Sequence, residues 1–131
     1  MKRSLMILLA LGLTGCSLLG ASNSASLQAT RWQLQGADGE RFTLQVAGDR
    51  LAGMGGCNRY FAAASMPSDG VLSLGPVGST RMLCPEPALA QQEQQFLQAL
   101  GQVSSYRIDG QTLELHGSAG QTLLTLVAQH P

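Results

Sequence analysis

The chain has 131 residues, a length that suits one domain, and its eight basic side chains balance eight acidic ones. Two of the basic residues, Lys2 and Arg3, stand at the N-terminus, and without them six arginines face eight carboxylates, a net charge of −2. A weakly acidic chain without clustered basic residues is a poor candidate for binding nucleic acid, and equally for electrostatic adhesion to anionic lipid.

The N-terminus has the parts of a lipoprotein signal peptide, which we place at residues 1–15. Lys2 and Arg3 provide a basic start, and the apolar run at residues 5–13 is too short to span a bilayer. The tetrad Leu-Thr-Gly-Cys that ends at Cys16 resembles the lipobox of bacterial lipoproteins, in which the signal is cut before the cysteine and the cysteine is acylated. The alternative is an ordinary secretory signal with a chance cysteine.

The lipobox resemblance implies that lipid on Cys16 attaches the mature chain to a membrane. Ser17 stands where lipoproteins retained in the inner membrane of enteric bacteria carry an aspartate, so the resemblance implies the outer membrane, facing the periplasm. Residues 16–26 are rich in Ser, Ala, Gly and Asn, a composition that predicts a flexible tether. The folded domain is therefore expected at residues 27–131.

The first half of this domain has the alternation of strands with one buried face. Trp32 and Leu34 alternate with polar residues, and residues 42–46 repeat the pattern after a glycine-containing turn. Residues 51–56 continue as a glycine-rich strand in which a bulge or a close backbone contact is expected. Further strands are predicted at the ranges 57–62, 71–74 and 77–82.

The second half begins with the one predicted helix, around residues 86–100, with prolines at its start and Gly101 at its end. Three more strands follow, and Asp109-Gly110 predicts a hairpin turn between the first two; we place them at residues 103–108, 111–116 and 121–128. The fold class is therefore mainly β (α+β). About eight short antiparallel strands are expected to form a strongly curved sheet or a split β-barrel with one α-helix.

Cys57 and Cys84 are the only cysteines beyond Cys16. An exported chain meets an oxidising compartment, so the simplest interpretation is a Cys57–Cys84 disulfide. It would close a loop of 27 positions and stabilise the fold by about 3 kcal/mol. The alternatives are a reduced buried pair, a catalytic thiol, or a metal site that would need His116 and His130 as further ligands.

Asn58, Arg59 and Arg81 stand beside these two cysteines and are the candidate residues for binding a ligand or a partner. In a structural role, the arginines would pair with carboxylates or cap open carbonyls near the bridge. In a functional role, the three residues would bind an anionic or carbonyl-bearing ligand at one mouth of the barrel. The sequence leaves both roles open.

Four blocks of sequence together resemble the META domain, and more closely the bacterial HslJ-type lipoproteins. They are Gly-Cys-Asn-Arg-Tyr-Phe at 56–61, Ser-Thr-Arg-Met-Leu-Cys-Pro at 79–85, Gln-Gln-Phe-Leu-Gln-Ala-Leu at 94–100 and Leu-Glu-Leu at 113–115. The resemblance implies a small barrel-like β fold with a helix, and links to the heat-shock stress response and to novobiocin resistance. It implies no known enzymatic reaction.

No acid–base carboxylate pair, serine triad, phosphate loop or zinc signature is visible in the sequence, so neither catalysis nor a metal or other cofactor is expected. We therefore expect a non-enzymatic envelope lipoprotein that supports outer-membrane integrity under stress, through an unidentified protein partner. The alternative is a barrel that binds a small hydrophobic or amphipathic ligand in its interior. An enzyme is the third hypothesis.

Overall fold

The computed structural model describes residues 24–129, together with the isolated residue Gly12. Apart from Gly12, the predicted signal peptide lies outside the described residues, as do Cys16 with its predicted lipid and His130. Within the described part of the chain, no helix has both the length and the apolar character needed to cross a membrane.

Nine strands and one α-helix make up the regular structure of residues 24–129. The strands are β1 (Arg31–Leu34), β2 (Thr43–Ala47), β3 (Arg50–Met54), β4 (Arg59–Ser65), β5 (Ser73–Leu74), β6 (Gly78–Ser79), β7 (Val103–Asp109), β8 (Thr112–Gly117) and β9 (Thr122–Ala128). The helix α1 is Pro87–Leu100, and a 3₁₀ turn covers Gly39–Arg41.

The strands form one antiparallel sheet that curls into a nearly closed barrel. Its order is β5-β4-β3-β2-β1-β9-β8-β7, and β6 pairs with β4 beside this path. A seam remains between the two end strands, and few hydrogen bonds cross it: the Leu72 amide donates to the Ser104 carbonyl at 3.2 Å, and the Tyr106 amide donates to the Gly70 carbonyl at 2.9 Å. The predicted fold class is thus confirmed.

The inside of the barrel is filled by the inward-facing side chains that the alternation predicted. The largest fully buried ones are Trp32, Tyr60, Leu44, Leu51, Leu72, Leu100, Leu113, Leu115, Leu126 and Val46. The helix contributes Phe96, whose ring centroid lies 5.3 Å from that of Phe42 and 5.4 Å from that of Tyr60. Side chains therefore occupy the space in which an internal ligand would have to sit.

The structure differs from the sequence-based prediction at several boundaries; the strands predicted at 57–62 and 71–74, for example, are Arg59–Ser65 and Ser73–Leu74. The helix begins at Pro87, one residue later than predicted, and the hairpin loop is Gly110 and Gln111, because only Gly110 adopts a positive φ there. The predicted strand at 77–82 contracts to Gly78–Ser79, since the Met82 amide bonds to the Asn58 side chain instead of a strand. The expected close backbone contact is present at Gly53, where an added Cβ would overlap the Thr43 carbonyl.

Candidate functional site

The predicted disulfide joins Cys57 to Cys84, with the two Cα atoms 5.6 Å apart. Cys57 precedes β4, and Cys84 lies in the segment between β6 and α1. The bridge therefore ties the start of a barrel strand to the connection at residues 80–86, which contains no helix or strand. It also engages both sulphur atoms, so neither cysteine is a free nucleophile in this structure.

A carboxylate from α1 binds the backbone beside the bridge. Glu93 Oε2 accepts hydrogen bonds from the amides of Cys57 at 2.8 Å and Asn58 at 2.7 Å, and Oε1 accepts one from Asn58 Nδ2 at 2.6 Å. Glu93 is only 8% exposed, on the same helix face as Leu89 and Phe96. Three donors surround this carboxylate, as a buried charge requires.

The Asn58 side chain in turn holds the segment that leads to Cys84. Its Oδ1 accepts hydrogen bonds from the Thr80 hydroxyl at 3.0 Å and from the Met82 amide at 2.6 Å, and Nδ2 also approaches the Met82 carbonyl at 3.5 Å. Asn58 is buried, and its side-chain amide is hydrogen-bonded to other groups of the protein. We call residues 80–84, held between Asn58 and the disulfide, the clamped loop.

The clamped loop presents apolar side chains to solvent. Met82 is 69% exposed and Leu83 is 93% exposed, and Arg81 beside them is exposed as well. Side chains of this kind usually lie in the core, and the domain has an interior for them. Of the candidate residues, Asn58 thus holds the backbone of the clamped loop from outside it, and Arg81 is an exposed residue of the loop itself.

The third candidate, Arg59, lies on the outer wall of the barrel. There a concave surface of about 510 Å³ is lined by residues of β1 to β4, with Arg31, Arg50 and Arg59 among them. The Arg50 guanidinium carbon lies 5.5 Å from the centroid of the Phe61 ring, which is 43% exposed. We call this surface the arginine groove; Arg81 does not line it.

The titratable groups of the described residues do not form a reactive set. No group of three or more His, Cys, Asp or Glu side chains within residues 24–129 could hold a metal ion, and His116 lies 3.1 Å from the neighbouring carboxylate of Glu114. Burial raises the pKa of Tyr60, whose hydroxyl donates to the Thr43 carbonyl. The geometry of this region is suited to binding, and nothing in it indicates catalysis.

The sequence reasoning missed Glu93. The buried side chains of the helix, among them Leu89 and Phe96, form an apolar stripe. Glu93 follows Leu89 by four residues and precedes Phe96 by three, so helical spacing already places it inside the stripe. A carboxylate at such a position needs buried partners, and this was the signal that could have identified it.

Comparison with known proteins agrees with this architecture. The family model of the META domain matches residues 25–130. A protein from Burkholderia xenovorans, solved by NMR, is 28% identical, with a TM-score of 0.65 over 80% of this chain and 85% of the other. A second NMR structure, 22% identical, shares the fold with a TM-score of 0.59 over 77% and 90% of the two chains. No curated protein gives a significant match.

Proposed function

Because this chain belongs to the META domain family, we propose that it is a non-enzymatic cell-envelope lipoprotein that binds a protein partner through its clamped loop. The observation that carries the proposal is the exposure of Met82 and Leu83 on a loop held at both ends. Exposed apolar side chains on a monomer mark interaction sites when they are held in place.

The anchoring of the clamped loop supports this role through the entropy of binding. A flexible loop loses conformational freedom when a partner immobilises it, and this loss weakens the complex. Here the disulfide, the Asn58 side chain and the Glu93 carboxylate have already restricted the backbone. Met82 and Leu83 are thus presented in a conformation that a partner pocket can accept at small entropic cost.

The cellular setting of the proposal comes from two features. The N-terminal sequence resembles a lipobox, so Cys16 would carry the lipid, and residues 16–26 would let the domain stand away from the outer membrane. The Cys57–Cys84 disulfide suits the oxidising periplasm, since cytosolic reductants keep such thiols reduced. We place the protein on the periplasmic side of the outer membrane.

The physiological role we propose is support of the envelope during heat stress and exposure to hydrophobic antibiotics such as novobiocin. Deletion of the gene should lower tolerance to both, and the wild-type chain should restore it. A Cys16→Ala chain should not restore tolerance, because it lacks the acylated residue. Full complementation by that variant would show that the anchor plays no part.

Site-specific photocrosslinking in intact cells tests the clamped loop directly. A photoreactive amino acid at position 83 should give one discrete crosslinked protein, whereas the same probe at Asp109, an exposed position at the end of β7, should not. A M82S chain carrying the probe at 83 should give less of the product while its thermal stability stays unchanged. Equal crosslinking from positions 83 and 109 would contradict the proposal.

A further inference from the structure

We propose that the arginine groove is a binding site for phosphate-bearing anions. It lies on the outer face of β1 to β4 and no clamped-loop residue lines it, so it is a separate site from the one proposed above, although the Arg59 amide donates to the Thr80 hydroxyl at 3.2 Å. The inference depends on the arrangement of three arginines, their lack of acidic partners, the contact that orients one of them, and the size of the concave surface.

Strand register brings the three arginines around one small residue. In the outward-facing row across the sheet, Arg31 is opposite Gln45, Gln45 is opposite Ala52, and Ala52 is opposite Phe61. With about 4.8 Å between neighbouring strands, the row spans about 14 Å. Arg31 stands at one end, and Ala52 forms the floor.

The two other arginines lie on either side of this row. Arg50 precedes Ala52 by two residues and Arg59 precedes Phe61 by two, on strands that run in opposite directions. Each is therefore displaced from the row by about 7 Å, in opposite senses. Three long side chains thus stand on three sides of a shallow floor and can reach over it from different strands.

No acidic side chain neutralises these arginines within the described residues. The groove lining contains no carboxylate, and Arg31, Arg50 and Arg59 take part in none of the ion pairs found within residues 24–129. Two other arginines of the chain do have carboxylate partners. Arg41 bonds to Glu86 at 3.2 Å, and Arg107 lies 4.0 Å from Asp109.

An uncompensated cluster of like charges is unfavourable in the absence of an anion, and a bound anion would relieve the repulsion. Guanidinium groups bind phosphate with paired, charge-assisted hydrogen bonds, and several of them can surround its oxygens. A phosphate group is therefore complementary to the positive charge of the groove, and its oxygens can accept hydrogen bonds from the guanidinium groups.

One of the three arginines is already oriented. The Arg50 guanidinium rests over the Phe61 ring with 5.5 Å between guanidinium carbon and ring centroid, a cation–π contact. The ring itself lies against Gly78, where an added Cβ would come within 2.8 Å of the ring atom Cε2. The glycine leaves room for the ring, the ring supports the guanidinium, and less side-chain freedom is lost when an anion binds.

The volume of the groove, about 510 Å³, suits a phosphorylated small molecule or a single lipid headgroup. Phe61 and Met54 provide apolar surface beside the guanidinium groups, and such surface could contact the organic part of either ligand. A soluble phosphorylated compound and a phospholipid headgroup offer the same phosphate chemistry, so the experiment must separate these two sources.

Arginine-selective labelling with phenylglyoxal, mapped by mass spectrometry, makes that separation. The full chain is reconstituted in phosphatidylcholine vesicles and labelled in three states: alone, with added pyrophosphate, and with phosphatidylglycerol included in the vesicles. Protection of Arg31, Arg50 and Arg59 by pyrophosphate indicates a soluble ligand, and protection only by phosphatidylglycerol indicates a headgroup. Either pattern supports the site, provided that Arg107 on β7 labels at an unchanged rate.

Single arginine variants provide a second test of the anion site. In whichever state protects, R59Q should raise the anion concentration needed to protect Arg31 and Arg50 by about five-fold, as expected for the loss of one arginine near a phosphate. The matched variant R107Q removes the same charge far from the groove and should change this value little. Added salt should weaken protection.

Two results would overturn the site: no protection in either state, or equal protection of Arg107 and the groove arginines. A chain with M82S and L83S should keep anion protection in full. Failure of the anion site and failure of the partner-binding loop are therefore separate outcomes.

Discussion

Two side chains, Asn58 and Glu93, determine the local structure on which the clamped loop depends. Glu93 accepts three hydrogen bonds, and Asn58, which precedes β4, bonds to two other segments, the helix through Glu93 and the clamped loop through Thr80 and Met82. Neither side chain has an apolar substitute: without Glu93 the backbone amides of Cys57 and Asn58 lose their acceptor, and without Asn58 the Met82 amide loses its acceptor.

Replacing Glu93 by alanine should lower the free energy of unfolding by about 3 kcal/mol, since two backbone amides and one side-chain amide lose a charged acceptor. Urea denaturation measures this change. Gln94→Ala is the matched control, because Gln94 is exposed on the same helix, and it should cost less than about 0.5 kcal/mol. Similar losses from the two variants would show that the hydrogen bonds of Glu93 contribute little.

The buried Tyr60 should make the free energy of unfolding depend on pH in the alkaline range. Burial raises the pKa of Tyr60 in the folded state, whereas tyrosine in an unfolded chain ionises near pH 10. Above about pH 10 the unfolded state releases a proton that the folded state retains, so stability is complete below this pH and falls as the pH rises. The loss from this one group should reach about 1.4 kcal/mol at pH 11.

Unfolding by urea at pH 8, 10 and 11 tests the role of Tyr60. The Tyr60→Phe variant should be less stable at pH 8, because it loses the hydrogen bond to the Thr43 carbonyl, but its stability should fall less above pH 10. Tyr106→Phe, at a half-buried position, should retain the alkaline loss of the wild type. An unchanged alkaline slope in Tyr60→Phe would assign the loss to other groups.

Among the elements, β3 shows how one glycine permits close packing of strands. An alanine Cβ at Gly53 would overlap the carbonyl of Thr43 on β2. At Gly55 the nearest atoms to an added Cβ lie 3.6 Å away, which is ordinary contact. We expect Gly53→Ala to lower the midpoint of thermal unfolding by several degrees, and Gly55→Ala to change it little. Comparable shifts in differential scanning calorimetry would contradict this reading of the strand.

The elements also show how much of the fold could be predicted from the sequence. The alternating strands and the helix follow from local patterns, because the spacing of apolar residues in neighbouring positions shows which face is buried. The disulfide follows from the number of cysteines and the expected oxidising compartment. The clamped loop does not follow from them. Its backbone bonds to Asn58, more than twenty residues away along the chain, and period-two alternation cannot reveal a side chain that replaces a strand partner.

The candidate site, too, could be predicted from the sequence only in part. Asn58, Arg59 and Arg81 were selected because they flank the cysteines, and the structure separates them into a buried anchor, a groove residue and a loop residue. Arg31 and Arg50 lie far from the cysteines in sequence, and only strand register brings them beside Arg59. The net charge of −2 for the chain without Lys2 and Arg3 likewise conceals a local cluster of positive charge.

For the whole molecule, the seam of the barrel is the expected weak point. The edge there is closed by a few backbone hydrogen bonds near Leu72 and Tyr106, whereas β8 pairs along its length with both β7 and β9. Sub-global opening should therefore begin at the seam. In native-state hydrogen exchange, the amides of Leu72 and Tyr106 should exchange faster than the bonded amides of β8. Equal protection would indicate a barrel that opens only as a unit.

The Glu93 and Asn58 contacts have a consequence for oxidative maturation. None of these hydrogen bonds involves a sulphur atom, so they can form while the thiols are still reduced. They would already hold Cys57 and Cys84 as neighbours when an oxidant arrives. If the chain is exported as proposed, Cys16 would be a third thiol, and this arrangement would direct the oxidant to Cys57 and Cys84 and leave Cys16 available for the proposed acylation.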